Sequence, residues 1–365
     1  MYGLPRGWTT VVAASDASQE SVSRLWQNAL RVCPSHVQRL VLSLDAQALL
    51  HIEEIRFRLG QPVELCGVGF DQFLHAQSGL TLRTADAYRT TAEDMERVVQ
   101  AVTQSSLYAV EEELRRGFVT MPGGHRVGIA GRAVLSNSGT IRSIRSITSV
   151  NIRVAKEKIG AADSLRSVIA DPLGAPYSVL FISPPQCGKT TMLRDLARQW
   201  SEGAVNGGVG RKVCVVDERS ELAGCLSGVP QFHLGPRTDI LDACPKAEGL
   251  LMAIRSLSPE VVVTDEIGRS TDADAILEAA HAGVSVIASA HARTLADWKR
   301  RPHMGELFEA KAFSRYVLLS RRRGPGTVED VLDESGRPIA GWRAPFAGRR
   351  SHDDVRVNVE GAESP

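Results

Sequence analysis

The sequence predicts an α/β chain: a domain with a mainly parallel sheet, preceded by a smaller α+β domain. Three observations predict it. From Val179 onward, VLFI (179–182), KVCVVD (212–217), EVVVTD (260–265), VSVIASA (284–290) and RYVLLS (315–320) are short runs with apolar centres, separated by helical stretches. Strands buried on both faces and joined by crossover helices have that signature. Upstream, residues 118–155 alternate around Gly-rich turns, as a small sheet does. Between the two, charged KEKIGAADS gives way to DPLGAPYS, which places a boundary near 156–170.

The resulting order is a loosely ordered leader (1–34, ending at Pro34), an amino-terminal α+β domain (35–158), a second domain (165–335) and a disordered tail (336–365) rich in Gly, Arg, Ser and Asp. Apolar spacing predicts one helix over 36–50. Residues 52–67 predict two strands around the turn Gly60-Gln61-Pro62. Thr91 can cap a helix running to Val102, with Glu93 and Asp94 in its first turn. A further helix is expected over 108–117, ended by Gly117, and a surface loop over SEGAVNGGVG (201–210).

Composition narrows the function classes. With 43 Lys and Arg against 42 Asp and Glu, the formal charge of +1 draws the chain neither to nucleic acid nor to an anionic membrane. No stretch approaches the roughly 20 apolar residues that span a bilayer, and MYGLPRGWTTVVAASDAS lacks the features of a secretory signal. Cysteines 33, 66, 187, 214, 225 and 244 form no C-x-x-C pair and read as reduced, buried residues of a cytosolic protein.

The chemistry concentrates in ISPPQCGKTTMLRDLAR (182–198). A phosphate loop is Gly, four free positions, then Gly-Lys-Ser/Thr, and turns backbone N–H groups toward phosphate at a helix start. Gly188, Lys189 and Thr190 match; Ser183 takes the place of the opening Gly. Because Pro184 holds the residue before it extended, Ser183 needs no positive φ, only small size. Pro184 and Pro185 stiffen the entry and remove two donors, leaving the amides of Gln186, Cys187, Gly188, Lys189, Thr190 and Thr191 to cradle phosphate. Lys189 would reach the β/γ-phosphates of ATP, and Thr190 would ligate Mg²⁺. The loop follows an apolar run and opens a helix, the context such a loop requires.

Asp265 and Glu266 close the run VVVTDEIG (261–268). At a buried strand's end, Asp265 can hold Mg²⁺ through water, and Glu266 can orient and polarise the attacking water. Asp217 and Glu218 end another strand, where open sheets place their ligands. Glu218 is a candidate second catalytic carboxylate, or a partner of Arg219 or Arg237. In ASAHAR (288–293), Ser289 or His291 could sense the γ-phosphate, although a lone His after a strand is more often structural.

With these elements in order, the chain resembles the stage III sporulation protein AA family, P-loop ATPases similar to the motors of type II and type IV secretion. The likeness runs over roughly 35–333 and is densest in 212–269; EIRFRLGQPVEL and GGHRVGIAGRAV also match. It implies a RecA/AAA-like P-loop domain in which Lys189 and Thr190 bind nucleotide and metal, and Asp265 and Glu266 form the Mg²⁺/water pair. Glu218 falls in the acidic box of such motors and His291 in their histidine box. The resemblance also implies a homo-oligomeric, hexameric ring at the cytoplasmic face of a membrane-embedded complex joining mother cell and forespore, with no membrane span in the ATPase itself. Such motors often direct an arginine at a neighbour's γ-phosphate. Arg126, Arg132, Arg142, Arg145, Arg153 and Arg237 are the candidates.

Two other readings compete. RRRG (321–324) and the Arg-rich 126–153 segment suggest a nucleic-acid-binding ATPase, but neither interleaves the aromatics that stack bases. A scaffold that binds ATP without turnover is the third, and the intact Glu266 speaks against it.

Overall fold

The computed structural model describes residues 25–342, except 68, 105–109, 111–112, 114–116, 138, 140 and 206. Most of the expected 108–117 helix, residues 1–24 of the expected leader, the tail from 343 and the Arg142 side chain lie outside the described residues. The rest of the expected leader is not loosely ordered: residues 25–30 are helical, and Trp26, Leu30 and Cys33 are buried in the core of the first unit, because their apolar side chains pack there. The chain divides into two compact units, Met1–Glu157 with Arg219–His233, and Lys158–Glu218 with Leu234–Pro365.

The first unit holds an antiparallel seven-stranded sheet ordered β4-β3-β2-β1-β7-β6-β5. Its strands are β1 (Ile52–Arg58), β2 (Glu64–Gly67), β3 (Phe70–Leu74), β4 (Leu80–Thr81), β5 (Val119–Met121), β6 (His125–Leu135) and β7 (Ile141–Arg153). Ile55 and Phe57 of β1, Val127 of β6 and Val150 and Ile152 of β7 bury one face together with Trp26, Val37 and Val98. The expected 36–50 helix is two helices, α1 (Ser35–Leu42) and α2 (Ala46–His51). The break has a local cause: the Ala48 amide donates to the Asp45 carboxylate, capping a new helix start. Thr91 caps α3 (Ala92–Val102) in a full capping box, since the Asp94 amide donates to Thr91 Oγ1 and the Thr91 amide to Asp94 Oδ2.

The second unit holds a seven-stranded sheet ordered β10-β9-β11-β12-β8-β13-β14. It comprises β8 (Val179–Ser183), β9 (Val213–Asp217), β10 (Thr238–Asp242), β11 (Val261–Thr264), β12 (Ser285–His291), β13 (Arg315–Ser320) and β14 (Thr327–Asp333). All neighbouring pairs are parallel except β13–β14. Its helices are α4 (Lys189–Glu202), α5 (Lys246–Ser256), α6 (Ser270–His281), α7 (Leu295–Lys299) and α8 (Met304–Glu309). β8 lies between β12 and β13, whereas the next strand in the chain, β9, lies beyond β12 and β11. The strand order therefore reverses at β8, which puts the crevice for a ligand at the carboxyl ends of β8 and its neighbours. The 201–210 segment is not simply a surface loop: Gly203 ends α4 at φ +78°, and a Cβ there would lie 2.3 Å from the Gly208 carbonyl oxygen.

Candidate functional site

Ser183 is the last residue of β8, fully buried, and its hydroxyl donates to the Pro184 carbonyl at 2.8 Å. The left-handed turns of the loop come later, at Gln186 (φ +60°) and Gly188 (φ +87°). Pro184, Pro185 and Gln186 are exposed, while Cys187 is buried and Gly188, Thr190 and Thr191 are half-buried. Gly188 is the N-cap of α4, and Met192 is the first amide to bond back, to the Gly188 carbonyl at 3.1 Å. The amides of 189–191 thus open onto the helix N-terminus, where anions bind. A Cβ on Gly188 would lie 2.7 Å from the Gly326 nitrogen, because the Gly326 amide donates to the Cys187 carbonyl at 2.8 Å. The β13–β14 turn is thereby laid against the loop, and Arg321 Nη1 donates to Gln186 Oε1 at 3.0 Å. The basic run at 321–324 begins beside the phosphate loop, which sequence reading did not anticipate.

Lys189 is buried and folded back over its own loop. Its Nζ lies 3.2 Å from the Pro184 carbonyl, 3.3 Å from Ser183 Oγ and 2.9 Å from His291 Nδ1. Burial pulls the Lys189 pKa below its ordinary value, and the nearby Glu266 carboxylate opposes that shift. His291 ends β12 beside Ser183 of β8 in the parallel register. Its Nε2 meets Glu266 Oε1 at 2.5 Å. An ammonium can only donate, so Nδ1 accepts from Lys189 and the imidazole proton sits on Nε2, facing Glu266. The turn bearing Glu266 is fixed by the Ile267 amide, which donates to the Ser289 carbonyl at 2.8 Å. Ser289 itself is buried within β12, so of the two suggested sensors only His291 reaches the Lys189–Glu266 pair.

Asp265, buried at the end of β11, pairs with Lys246 Nζ at 3.2 Å, and the same ammonium pairs with Glu218. Burial works against the charge of Lys246, but Asp265 and Glu218 outweigh it and raise its pKa. Lys246 was missed by sequence reading because no motif marks it. Glu218 also faces Arg269 at 3.7 Å. Glu218 thus pairs with Lys246 and Arg269. Arg237 instead donates to the Ser201 carbonyl at 3.1 Å, near the carboxyl end of α4. That 14-residue helix is about 20 Å long, so Arg237 is no sensor for its own loop.

In the first unit, Arg126 pairs with Glu221 at 2.7 Å, donates to the Arg219 and Ser220 carbonyls, and stacks over Phe118. Arg132 and Arg145 face each other across β6 and β7, both exposed, and Arg153 pairs with Glu54 at 3.3 Å.

The donor set suits a nucleotide with its cation. Among the described residues, no group of three or more His, Cys, Asp or Glu could hold a metal ion. One hydroxyl and one carboxylate, Thr190 and Asp265, match Mg²⁺, which keeps waters and takes phosphate oxygens rather than an all-protein cage.

A glycine-pivoted phosphate loop at the carboxyl end of a mainly parallel sheet, at the point where strand order reverses, defines a RecA-like P-loop ATPase fold. X-ray structures of the ATPase DotB share it: the Legionella pneumophila protein with a TM-score of 0.51 at 15% identity, covering 78% of this chain and 76% of that one, and the Yersinia pseudotuberculosis protein with 0.52 at 13%, covering 78% and 75%. At that identity the likeness is one of fold alone. The chain belongs to the family described as sporulation stage III, protein AA, whose model matches residues 24–339. Stage III sporulation protein AA of Bacillus subtilis (strain 168) is 47% identical over 309 residues, covering 85% of this chain and 95% of that protein. No helix among the described residues is long and apolar enough to cross a membrane.

Proposed function

We propose that the chain is a Mg²⁺-dependent ATPase that works as a motor for a membrane-embedded complex between mother cell and forespore during endospore formation. The observation that carries this reading is the relay Lys189–His291–Glu266, in which one imidazole ties the phosphate-reaching ammonium to the water-orienting carboxylate. The family supports the sporulation setting, and the fold shared with the ATPase DotB is consistent with ATP as the substrate.

In this reading the amides of 186–191 cradle the triphosphate, and Lys189 swings from His291 and the Pro184 carbonyl to the β/γ-phosphates. Glu266, still held by His291, orients the attacking water and accepts its proton at a carboxylate oxygen. Thr190 and Asp265 would be the residues that hold Mg²⁺. When bound, the cation supplies charge neutralisation at the phosphates. Glu218 is the second carboxylate, one residue before the Arg219–His233 segment of the first unit. A hexameric ring at the cytoplasmic face would bring arginines of one copy to another's nucleotide. Arg132 and Arg145 are exposed enough for that role, whereas Arg126 is already committed to Glu221.

Calorimetry with ATP and Mg²⁺, paired with a phosphate-release assay, tests the reading. The wild type binds and hydrolyses, Lys189→Ala does neither, and Glu266→Gln binds without turnover. A folded wild type that takes up no ATP overturns it.

A further inference from the structure

Lys246 is placed where helix electrostatics disfavour it. It is the first residue of α5, immediately after the N-cap Pro245, and buried. A helix N-terminus carries partial positive charge and favours anions. A cation there needs a local reason, and the reason is two carboxylates. The Nζ meets Asp265 Oδ1 at 3.2 Å and Glu218 Oε2 at closer range, from the ends of β11 and β9. Those strands are parallel neighbours, with Thr264 opposite Val216, so Asp265 and Glu218 leave adjacent strand ends side by side. Asp265 and Lys246 have side chains only 4% and 6% exposed, and Glu218 is 25% exposed.

Two carboxylates converging on one point in a largely buried setting repel unless a cation stands between them. A divalent cation with one or two carboxylates and several waters is a common way to satisfy such a pair. Here the chain supplies its own cation. We propose that Lys246 is a built-in counter-cation: its ammonium occupies the position that Asp265 and Glu218 would otherwise offer to a divalent metal, so that metal binds productively only when it arrives with nucleotide phosphates. The first half of this statement stands on the geometry alone; the nucleotide clause rests on the ATPase reading. Lys246 is a positioning residue, acting through Asp265 and Glu218 rather than on substrate.

Mn²⁺, which reports binding by its EPR signal, serves as the probe on the nucleotide-free full chain. Wild type is expected to hold Mn²⁺ weakly without nucleotide and at least tenfold more tightly with ADP. Lys246→Gln should hold it at least tenfold more tightly than wild type without nucleotide, and adding Asp265→Asn to that variant should remove the gain. Lys246→Arg, which keeps the charge, should match wild type. The inference is overturned if folded Lys246→Gln binds Mn²⁺ no better than wild type, or if Lys246→Arg gains the site. It also fails if wild type binds Mn²⁺ as tightly without nucleotide as with it, a measurement that needs no variant to fold. ATP calorimetry on wild type, run in parallel, separates the two claims: no ATP uptake defeats the function, whereas an ungained Mn²⁺ site defeats only the counter-cation.

Discussion

His291 Nε2 and Glu266 Oε1 meet at 2.5 Å, at the carboxyl ends of strands separated from each other by no other strand. On its other ring nitrogen the same imidazole accepts from Lys189 at 2.9 Å. The histidine therefore holds both ends of the proposed reaction centre, fixing the carboxylate on one side and the ammonium on the other.

Replacing that histidine should separate turnover from binding. His291→Ala leaves Glu266 unoriented but keeps the loop amides, so kcat for ATP should fall about a hundredfold, at the low end of what positioned proton transfer contributes. Nucleotide affinity should change only several-fold. His291→Gln, which can accept from Lys189 and donate to Glu266 in one orientation, should recover part of the loss. Equal losses of kcat and affinity in both variants would refute the positioning role.

Gly188 is constrained twice, by φ +87° and by the Gly326 nitrogen 2.7 Å from a would-be Cβ. Gly188→Ala should cost about 1–2 kcal/mol from the left-handed backbone alone, and the contact with Gly326 backbone should add to it. Urea unfolding of the nucleotide-free protein measures the loss. A midpoint equal to wild type would mean that the β13–β14 turn yields freely.

His125 reports on the first unit through pH. Its ring is buried in β6, Nδ1 accepts from the Ala155 amide at 3.0 Å, and burial pushes its pKa down to about 4. An unfolded histidine titrates near 6.5, so below that pH the unfolded chain binds a proton that the folded one refuses. Stability is full above about pH 6.5 and declines as pH falls toward 4, by roughly 3 kcal/mol at about 1.4 kcal/mol per pH unit. His125→Asn, which keeps an acceptor for Ala155, should flatten that part of the profile. An unchanged slope would place the acid sensitivity elsewhere.

Asp195 on α4 acts in the same direction, at lower pH. Burial works against its charge, yet the Ala162 and Gly160 amides and the Arg198 guanidinium outweigh that and hold its carboxyl below the usual range. Its stabilisation is present above the unfolded carboxylate pKa and is lost as pH falls through the lower folded value. Asp195→Asn should lower stability by about 3 kcal/mol at pH 7, the scale for breaking a buried ion pair, and by much less in strong acid. A melt as stable as wild type at pH 7 would count against it.

Much of this molecule was legible because its signals are local. The phosphate loop, the Thr91 capping box and the apolar strands of the second unit depend on neighbours within a few residues, where φ preference, hydrogen bonding and periodicity act directly. Asp265 and Glu266 were legible as the polar end of a buried strand. Ser183 could be excused its missing glycine because Pro184 sets its backbone. The 36–50 segment misled for a local reason as well: periodicity carried across Ser43–Asp45, while Asp45 used its side chain to start a second helix.

What tertiary structure decided is which distant side chains share a point. His291 lies 102 residues from Lys189, Lys246 lies 28 from Glu218, and Arg321 lies 135 from Gln186. Each meeting follows from strand order, which sets β12 beside β8, β11 beside β9 and β13 on the far flank of the loop. Sequence pattern determines that a strand is buried on both faces; it does not determine the strand's neighbour, because many pairings bury the same apolar area. The chain alone thus specified a glycine-turned loop at a helix start and the acidic residues that end the neighbouring strands, and packing specified the cation and the imidazole that hold those acidic residues in place.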